Sequence, residues 1–205
     1  MPHKNRVDPF GSLHAVPQRG TLMGNRGCLH DADGTIRRQF GRKAWIACAL
    51  EFQNRHRTIM EPGSYTELFF LDEATALAAG HRPCGTCRKA ALRHFKACWK
   101  AAMGIPKGET VNLKGVDQAL HEERTTGNQW SEKISALPDG VMVLLEPGGS
   151  PHLLWQGRFL EWSFDGYRPP IPPQPSGMIN VITPKALVQV LRAGYPITVH
   201  PSAAV

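Results

Sequence analysis

The chain has 205 residues, with 24 Lys and Arg against 17 Asp and Glu and a formal net charge of +7. A hydrophobic fraction of 41% with 20% charged residues is typical of a soluble globular protein with a core of its own. No apolar run is long enough to span a membrane and no signal-peptide core follows the N-terminus, so we expect a cytoplasmic protein. Five cysteines, an odd number, favour free thiols and metal ligands over a disulfide framework.

The positive charge is concentrated in the first half of the chain. Residues 1–107 contain 17 Lys and Arg against 8 Asp and Glu, whereas residues 108–205 contain 7 against 9. Such an asymmetry suits a protein with one face that contacts phosphates, because neutralising phosphates releases condensed counterions, and it predicts nucleic acid as the partner. The alternative is that these residues only keep exposed faces soluble.

The N-terminal third predicts an arm followed by a small antiparallel sheet. Residues 1–20 are polar and interrupted by Pro9, Gly11 and Pro17, so an irregular arm is expected. Turn-forming residues then separate apolar segments, which predicts strands at 21–23, 28–30, 36–40, 43–52 and 65–71. Asp72 is placed to cap a helix that ends before Gly80.

The rest of the chain predicts one amphipathic helix and then a compact β-rich half. Residues 88–103 place apolar side chains three and four positions apart and basic side chains on the other face. Gly104 to Gly108 marks a boundary, so residues 21–107 are predicted to form one domain and residues 108–205 a second. After a helical segment at 116–124, the second domain is predicted to have strands at 140–146, 152–156, 158–162 and 195–200, an extended crossing at 168–175 and one helix at 184–193. The predicted fold class is α+β.

The most specific motif is Cys84-Gly85-Thr86-Cys87, a C-x-x-C turn preceded by Pro83. Two thiols at this spacing can bind one metal ion, and zinc favours tetrahedral sites of thiolates and imidazoles. A thioredoxin-like redox pair is one alternative, but such a pair begins a helix after a strand, whereas Cys84 follows a helix. Zinc deaminases also contain a P-C-x-x-C string, but the H-x-E motif that they carry upstream is absent before residue 83.

The segment from Phe69 to Arg88 also resembles a known family. It has an aromatic strand end, a capped helix that ends in Ala-Ala-Gly, and then the string His-Arg-Pro-Cys-Gly-Thr-Cys-Arg. This arrangement is similar to the signature half of the Ada-type metal-binding domain, which is found in bacterial methyl-phosphotriester repair proteins and appended to some nucleases. The resemblance covers about twenty residues and implies a zinc module that binds nucleic acid.

The other zinc ligands do not follow the Ada-type pattern. In that pattern two cysteine ligands lie four residues apart upstream of the helix, and the first can accept a methyl group from a damaged DNA phosphate. This chain has no such pair, so we expect a structural zinc ion and no methyl transfer. Cys48, the only cysteine between residues 29 and 83, is the third candidate ligand. A predicted strand places His30 and Cys28 on one face, and for the fourth ligand we rank His30 above Cys28, with His56 and His81 behind them.

The sequence therefore predicts a zinc-containing DNA-binding protein that acts in DNA repair or processing. The candidate phosphate-contacting residues are all basic and lie in the first half of the chain: Arg26, Arg37, Arg38, Arg55, Arg57, Arg82, Arg88, Lys89 and Arg93. One alternative is an enzyme acting on a nucleic-acid base or backbone, and another is a zinc-stabilised protein-interaction or regulatory module. For the enzyme, Asp117, His121 and Arg124 share one side of a predicted helix, and Glu51 lies near the C-x-x-C turn.

Overall fold

A computed structural model describes residues 1–54, 58–126, 130–172 and 177–204. Within these ranges the chain forms two six-stranded sheets and four α-helices, which confirms the predicted α+β class. No helix in this part of the chain is both long enough and apolar enough to cross a membrane.

The first sheet is mixed rather than purely antiparallel. Its strand order is β2-β1-β5-β3-β4-β6, and the pairs β1/β5 and β4/β6 are parallel. The segment that we expected to be an irregular arm supplies two of these strands, because residues 1–20 fold back against β5. Residues 28–30 and 36–40 are not strands and share only an isolated bridge between His30 and Ile36. The strands are β1 (Arg6–Val7), β2 (Leu13–His14), β3 (Leu22–Asn25), β4 (Ile46–Ala49), β5 (Leu68–Phe70) and β6 (Arg82–Pro83).

The second sheet is antiparallel throughout, with the order β11-β10-β9-β8-β12-β7. The predicted hairpin is present between β9 and β10, but β7 and β12 were not predicted, and residues 195–200 do not form the expected strand. The strands are β7 (Trp130–Lys133), β8 (Met142–Leu144), β9 (Pro151–Trp155), β10 (Arg158–Ser163), β11 (Gly166–Tyr167) and β12 (Met178–Val181).

The helices pack between and beside the sheets. Asp72 caps the first helix as predicted, because its carboxylate accepts a hydrogen bond from the Thr75 backbone N–H at 2.9 Å. Every residue of that helix is buried, so it is an internal element rather than a surface one. The helices are α1 (Glu73–Ala78), α2 (Lys89–Ala102), α3 (Leu113–Thr125) and α4 (Lys185–Arg192).

The hydrophobic core crosses the boundary that we predicted between residues 107 and 108. Phe95 and Trp99 of α2 belong to the same buried cluster as Leu187 and Val190 of α4. A second cluster joins Ala74 of α1 to residues of β8, β9 and β10. The N-terminus of α1 is held from the far end of the chain as well: the Tyr167 hydroxyl and the His200 backbone N–H both donate to Asp72, at 2.8 and 2.9 Å.

Candidate metal centre and basic cleft

Parallel pairing between β4 and β6 brings the first two candidate ligands together. Ala47 is paired with Pro83, and the Cys84 backbone N–H donates to the Ala47 carbonyl oxygen at 2.9 Å. Cys48 of β4 and Cys84, which directly follows β6, are therefore neighbours. The C-x-x-C turn then returns toward β4, where the Ala49 backbone N–H lies 3.4 Å from the Cys87 sulfur. As a result, the Sγ atoms of Cys48, Cys84 and Cys87 all lie within 4.8 Å of one another.

The spacing of these three sulfur atoms fits one tetrahedral metal ion. With a Zn–S bond of about 2.3 Å, two thiolates on a tetrahedral zinc lie about 3.8 Å apart. Backbone N–H groups point at two of the sulfur atoms, from Ala49 to Cys87 and from Thr86 to Cys84 at 3.3 Å. Such second-layer donors orient metal-bound thiolates and stabilise their negative charge. The cluster can therefore hold a metal ion, as the sequence predicted for these three cysteines.

Without a cation the three thiols cannot all ionise. The hydrogen bond with Cys48 lowers the pKa of the Cys84 thiol to about 4, against the opposing effect of burial. The same hydrogen bond, together with burial, raises the pKa of Cys48, and burial raises the pKa of Cys87. One thiolate is thus held by two protonated neighbours, because three adjacent negative charges would repel one another. A bound cation reverses this balance, since metal coordination deprotonates a thiol outright.

Neither of the two leading candidates for a fourth ligand lies in the thiol cluster. His30 is buried, but its ring is paired with the Thr66 hydroxyl at 2.6 Å and the Glu61 carbonyl oxygen at 3.2 Å, and it is not part of the thiol cluster. Cys28 is also outside the cluster, and its thiol donates to the His30 carbonyl oxygen at 3.4 Å. Among the described residues no further His, Cys, Asp or Glu joins the three thiols. His56 lies outside the described residues.

Two of the predicted phosphate-contacting arginines, Arg82 and Arg88, are paired with buried carboxylates, and a third, Arg26, is buried. Arg82 forms a bidentate ion pair with Asp117, at 2.7 and 2.8 Å, with both side chains almost fully buried. Arg88 pairs with the buried Glu73 carboxylate at 2.7 Å. Arg26 is only 1% exposed. The predicted residues on the surface are Arg37, which pairs with Asp31, together with Arg38, Lys89 and Arg93; Arg55 and Arg57 lie outside the described residues.

The candidate catalytic residues of α3 contact the first sheet and the loops beside it. Asp117 is the partner of Arg82, and Arg124 donates to the Gly80 and Lys43 carbonyl oxygens at 2.6 and 2.9 Å. His121 packs edge-on against Phe40, with ring centroids 4.9 Å apart. Burial, followed by the charge of Arg124, lowers the pKa of His121. This face of α3 docks the helix on the first sheet. Glu51 is exposed beyond the end of β4 and is not part of the thiol cluster.

A second unusual cluster was missed by the sequence analysis. The guanidinium carbons of Arg26 and Arg124 lie 4.0 and 4.1 Å from the centroid of the Trp45 ring. Arg26 also donates from Nε to Nε2 of the fully buried His81 at 3.1 Å. Burial, and then the charge of Arg26, lowers the pKa of His81 well below its usual value, so the imidazole is neutral and can accept this bond. No short-range pattern connects residues 26, 45 and 124, so spacing could not reveal the cluster.

The comparisons with known proteins add no family to this description. A scan against protein-family models gives no match, and searches of curated proteins and of solved structures give no match either. The likeness to the Ada-type domain therefore rests on residues 69–88 alone, and the structure adds only that Cys48, Cys84 and Cys87 lie close enough together to bind a metal ion.

Proposed function

We propose that this protein is a zinc-containing DNA-binding protein, in DNA repair or processing, whose zinc ion is structural. The observation that carries the proposal is the position of the thiol cluster directly before α2, a helix with a basic outer face. Cys87 is two residues from the start of α2, so a metal ion held by Cys48, Cys84 and Cys87 fixes this end of the helix to the edge of the first sheet.

The basic face of α2 is suited to phosphate contacts. Lys89, Arg93 and Lys96 follow one another at intervals of four and three residues, which places them on one side of the helix. Among the described residues, none of the three forms an ion pair with a carboxylate. An adjacent side of α2 is buried through Phe95 and Trp99. The helix is thus anchored on its apolar side and presents basic side chains outward, as a phosphate-contacting element requires.

Three thiolates leave one position on a tetrahedral zinc ion. A structural zinc ion requires a fourth protein ligand, whereas a water molecule there would mark a reactive site. X-ray absorption spectroscopy of the zinc-bound protein distinguishes the two, and we expect three sulfur ligands with one imidazole. His30→Ala and Cys28→Ser should both retain one zinc ion per chain, because neither side chain lies in the cluster. A spectrum with three sulfur atoms and one water oxygen would make the site catalytic instead.

Methyl transfer provides a second test of the structural role. Incubation of the zinc-bound protein with DNA that carries methyl phosphotriesters should leave Cys48, Cys84 and Cys87 unmodified by mass spectrometry. The reason is that the paired upstream cysteines of the Ada-type pattern, the first of which can accept the methyl group, are missing from this chain. A single methyl group mapped to Cys48 would restore stoichiometric repair as the leading function.

The salt dependence of DNA binding tests the main proposal. Fluorescence anisotropy of the full-length protein with a labelled duplex should show log affinity falling linearly with log salt concentration. The triple variant Lys89→Gln, Arg93→Gln, Lys96→Gln should reduce the slope by about 0.9 for each phosphate that the variant no longer neutralises. The matched control removes three exposed positive charges from the second half: Lys114→Gln, Lys133→Gln, Arg158→Gln. Equal slopes for the two triple variants would show that net charge alone attracts DNA, and no salt-dependent binding would favour the protein-interaction module.

A further inference from the structure

A cleft of about 930 Å³ lies between the two sheets. The first sheet, the loops beside it and the end of α3 contribute one part of its lining, and β7, β8 and β12 contribute another. The lining is strongly basic. Six of its side chains carry positive charge and one, Glu123, is acidic; the basic ones are Lys4, Arg26, Arg37, Arg38, Arg124 and Lys185. The carboxylate of Glu123 is already engaged, since it accepts the Ala186 backbone N–H at the start of α4.

Arg26 is the decisive residue of this cleft. Its side chain is almost completely buried, yet among the described residues no ion pair joins it to a carboxylate. Nε donates to His81 and one terminal nitrogen donates to the Gly11 carbonyl oxygen at 2.8 Å, both neutral acceptors. The other terminal nitrogen, Nη2, has no hydrogen-bond partner in the described part of the chain. A buried charge without a partner is costly, so a guanidinium kept in this state points to an anion that completes it.

Arg124 extends the same site. It is stacked on the face of Trp45 as Arg26 is, and its Nε also lacks a hydrogen-bond partner within the described ranges. Burial, and then repulsion from the guanidinium group of Arg124, lowers the pKa of Arg26 to about 9, although the charge of Asp8, which forms no ion pair with Arg26, acts in the opposite direction. An anion in the cleft relieves both effects at once. Guanidinium groups match the geometry of phosphate oxygens, which makes a phosphate group the natural occupant.

The size of the cleft shows that the occupant is larger than a phosphate ion. Volumes of about 300–1,000 Å³ accommodate whole organic ligands. Aromatic side chains also line the cleft: Phe10, which is 52% exposed, and Trp130. Two arginines already stack on the Trp45 ring, so the base of a ligand would stack on Phe10 or Trp130 instead. We propose that this cleft binds a nucleotide, with its phosphate held by Arg26 and Arg124 and its base against these aromatic side chains.

Nucleotide binding goes beyond the proposed DNA binding, because a free mononucleotide fits the cleft as well as the end of a DNA strand does. Isothermal titration calorimetry of the full-length zinc-bound protein tests it with deoxyadenosine 5′-monophosphate, deoxyadenosine and inorganic phosphate as probes. We expect one site, with the nucleotide bound about tenfold or more tightly than either of its parts. A hexanucleotide with and without a 5′-phosphate then distinguishes a free nucleotide from the end of a DNA strand as the ligand. A cleft for strand ends should bind the 5′-phosphorylated hexanucleotide more tightly than the free nucleotide.

Arg26→Gln should weaken nucleotide binding by about tenfold or more, as expected for loss of a charge-assisted hydrogen bond. Arg93→Gln removes the same charge from α2, outside the cleft, and should change the affinity by less than about twofold. Should Arg26→Gln fail to fold, Lys185→Gln on the exposed rim replaces it, with an expected loss of about threefold. Equal binding of nucleotide and inorganic phosphate, no binding of either probe, or unchanged affinity in the folded Arg26→Gln variant would each overturn the inference.

The same variants keep nucleotide binding apart from the proposed function. Arg26→Gln should retain the salt slope of duplex DNA binding, whereas the triple variant of α2 should retain nucleotide binding. If duplex binding is absent while Arg26-dependent nucleotide binding persists, the DNA-binding proposal fails and the cleft assignment stands.

Discussion

The thiol cluster and the arginine pair around Trp45 are opposite kinds of incomplete site. Cys48, Cys84 and Cys87 bring together three groups that become negative when they ionise, and the described residues supply no cation among them. Arg26 and Arg124 bring together two positive groups, and no carboxylate of the described residues is paired with Arg26. Like charges placed together raise the free energy of the folded state, and a ligand of the opposite charge lowers it again. The contrast between them shows how a fold can specify the charge of what it binds.

Arg82 and Asp117 show the complete case within the same structure. The pair is almost as buried as Arg26, but two parallel hydrogen bonds satisfy both partners. Its role is to fix α3 against β6, and nothing about it requires a ligand. The difference between Arg82 and Arg26 therefore separates a structural arginine from a binding arginine more sharply than their positions in the sequence do.

Removing one thiol should give the largest effect on the negative cluster. Cys84→Ser should abolish zinc binding and destabilise the fold, with the free energy of structural zinc binding, about 10–16 kcal/mol in zinc-finger peptides, as the ceiling. Cys98→Ser is the matched control, because Cys98 lies on α2 outside the cluster. Elemental analysis and urea denaturation measure the two effects. If the Cys84→Ser variant still bound one zinc ion per chain, the assignment of the thiol cluster as the metal centre would be wrong.

Breaking the complete pair should cost about 3–5 kcal/mol of unfolding free energy, because Asp117→Ala leaves Arg82 buried and unpaired. The exposed pair between Arg37 and Asp31 is the control, and Asp31→Ala should cost less than about 1 kcal/mol. Urea denaturation of the three proteins gives both values. A small loss in Asp117→Ala would mean that Arg82 tolerates an unpaired state as well as Arg26 does, and the contrast between the two arginines would disappear.

Much of the local structure was predictable because it depends on neighbouring residues. The α1 cap at Asp72, the α2 helix and the β9/β10 hairpin all follow from turn chemistry and periodicity. The C-x-x-C turn was predictable for the same reason, and Cys48 followed by elimination. The strands β7 and β12 were missed, because they are short, partly exposed segments stabilised mainly by pairing with each other and with β8.

The sites depend on contacts that no local pattern encodes. His30 was predicted as a ligand from alternation along a strand, but residues 28–30 do not form a strand. The His30 imidazole is hydrogen-bonded to the Thr66 hydroxyl instead. Asp117, His121 and Arg124 do share one side of α3, as predicted, but that side packs against the first sheet. The prediction of a catalytic role was wrong because the sequence of a helix shows which side chains share a face but not which part of the protein that face packs against. The same limit hid the stacking of Arg26 and Arg124 on Trp45.

Gly80 tests how tightly the positive cluster is built. Its backbone has φ +77°, and an added Cβ would overlap the side chain of Arg124. Gly80→Ala should lower the unfolding free energy by about 2–3 kcal/mol, from backbone strain and displacement of Arg124 together. Gly104 supplies the control, with φ +65° and no heavy atom within 4 Å of an added Cβ. Gly104→Ala should cost only the strain, about 1 kcal/mol. Equal costs for both variants would mean that Arg124 moves aside freely.

The smallest expected effect is the pH dependence of the free-energy cost of burying the charged Arg26 side chain. The folded state lowers the pKa of Arg26 from its ordinary value to about 9, chiefly through burial, so the folded protein loses this proton before the unfolded chain does. Below pH 9 both states are protonated and the full penalty is present. Above pH 9 the unfolded state binds more protons, so the stability contributed by this group rises by about 1.4 kcal/mol per pH unit.

Arg26→Met removes the titrating group, so the informative quantity is the difference in unfolding free energy between wild type and variant. We expect that difference to shift in favour of wild type by about 1 kcal/mol between pH 8 and pH 10, measured by urea denaturation. Arg93→Met, which removes an exposed charge from α2, should show a shift of less than about 0.5 kcal/mol. Saturating deoxyadenosine 5′-monophosphate should suppress the shift in wild type, because an anion beside Arg26 stabilises its charged form. The same shift in both variants would mean that Arg26 carries no buried charge penalty, and the positive cluster would then need no anion to complete it.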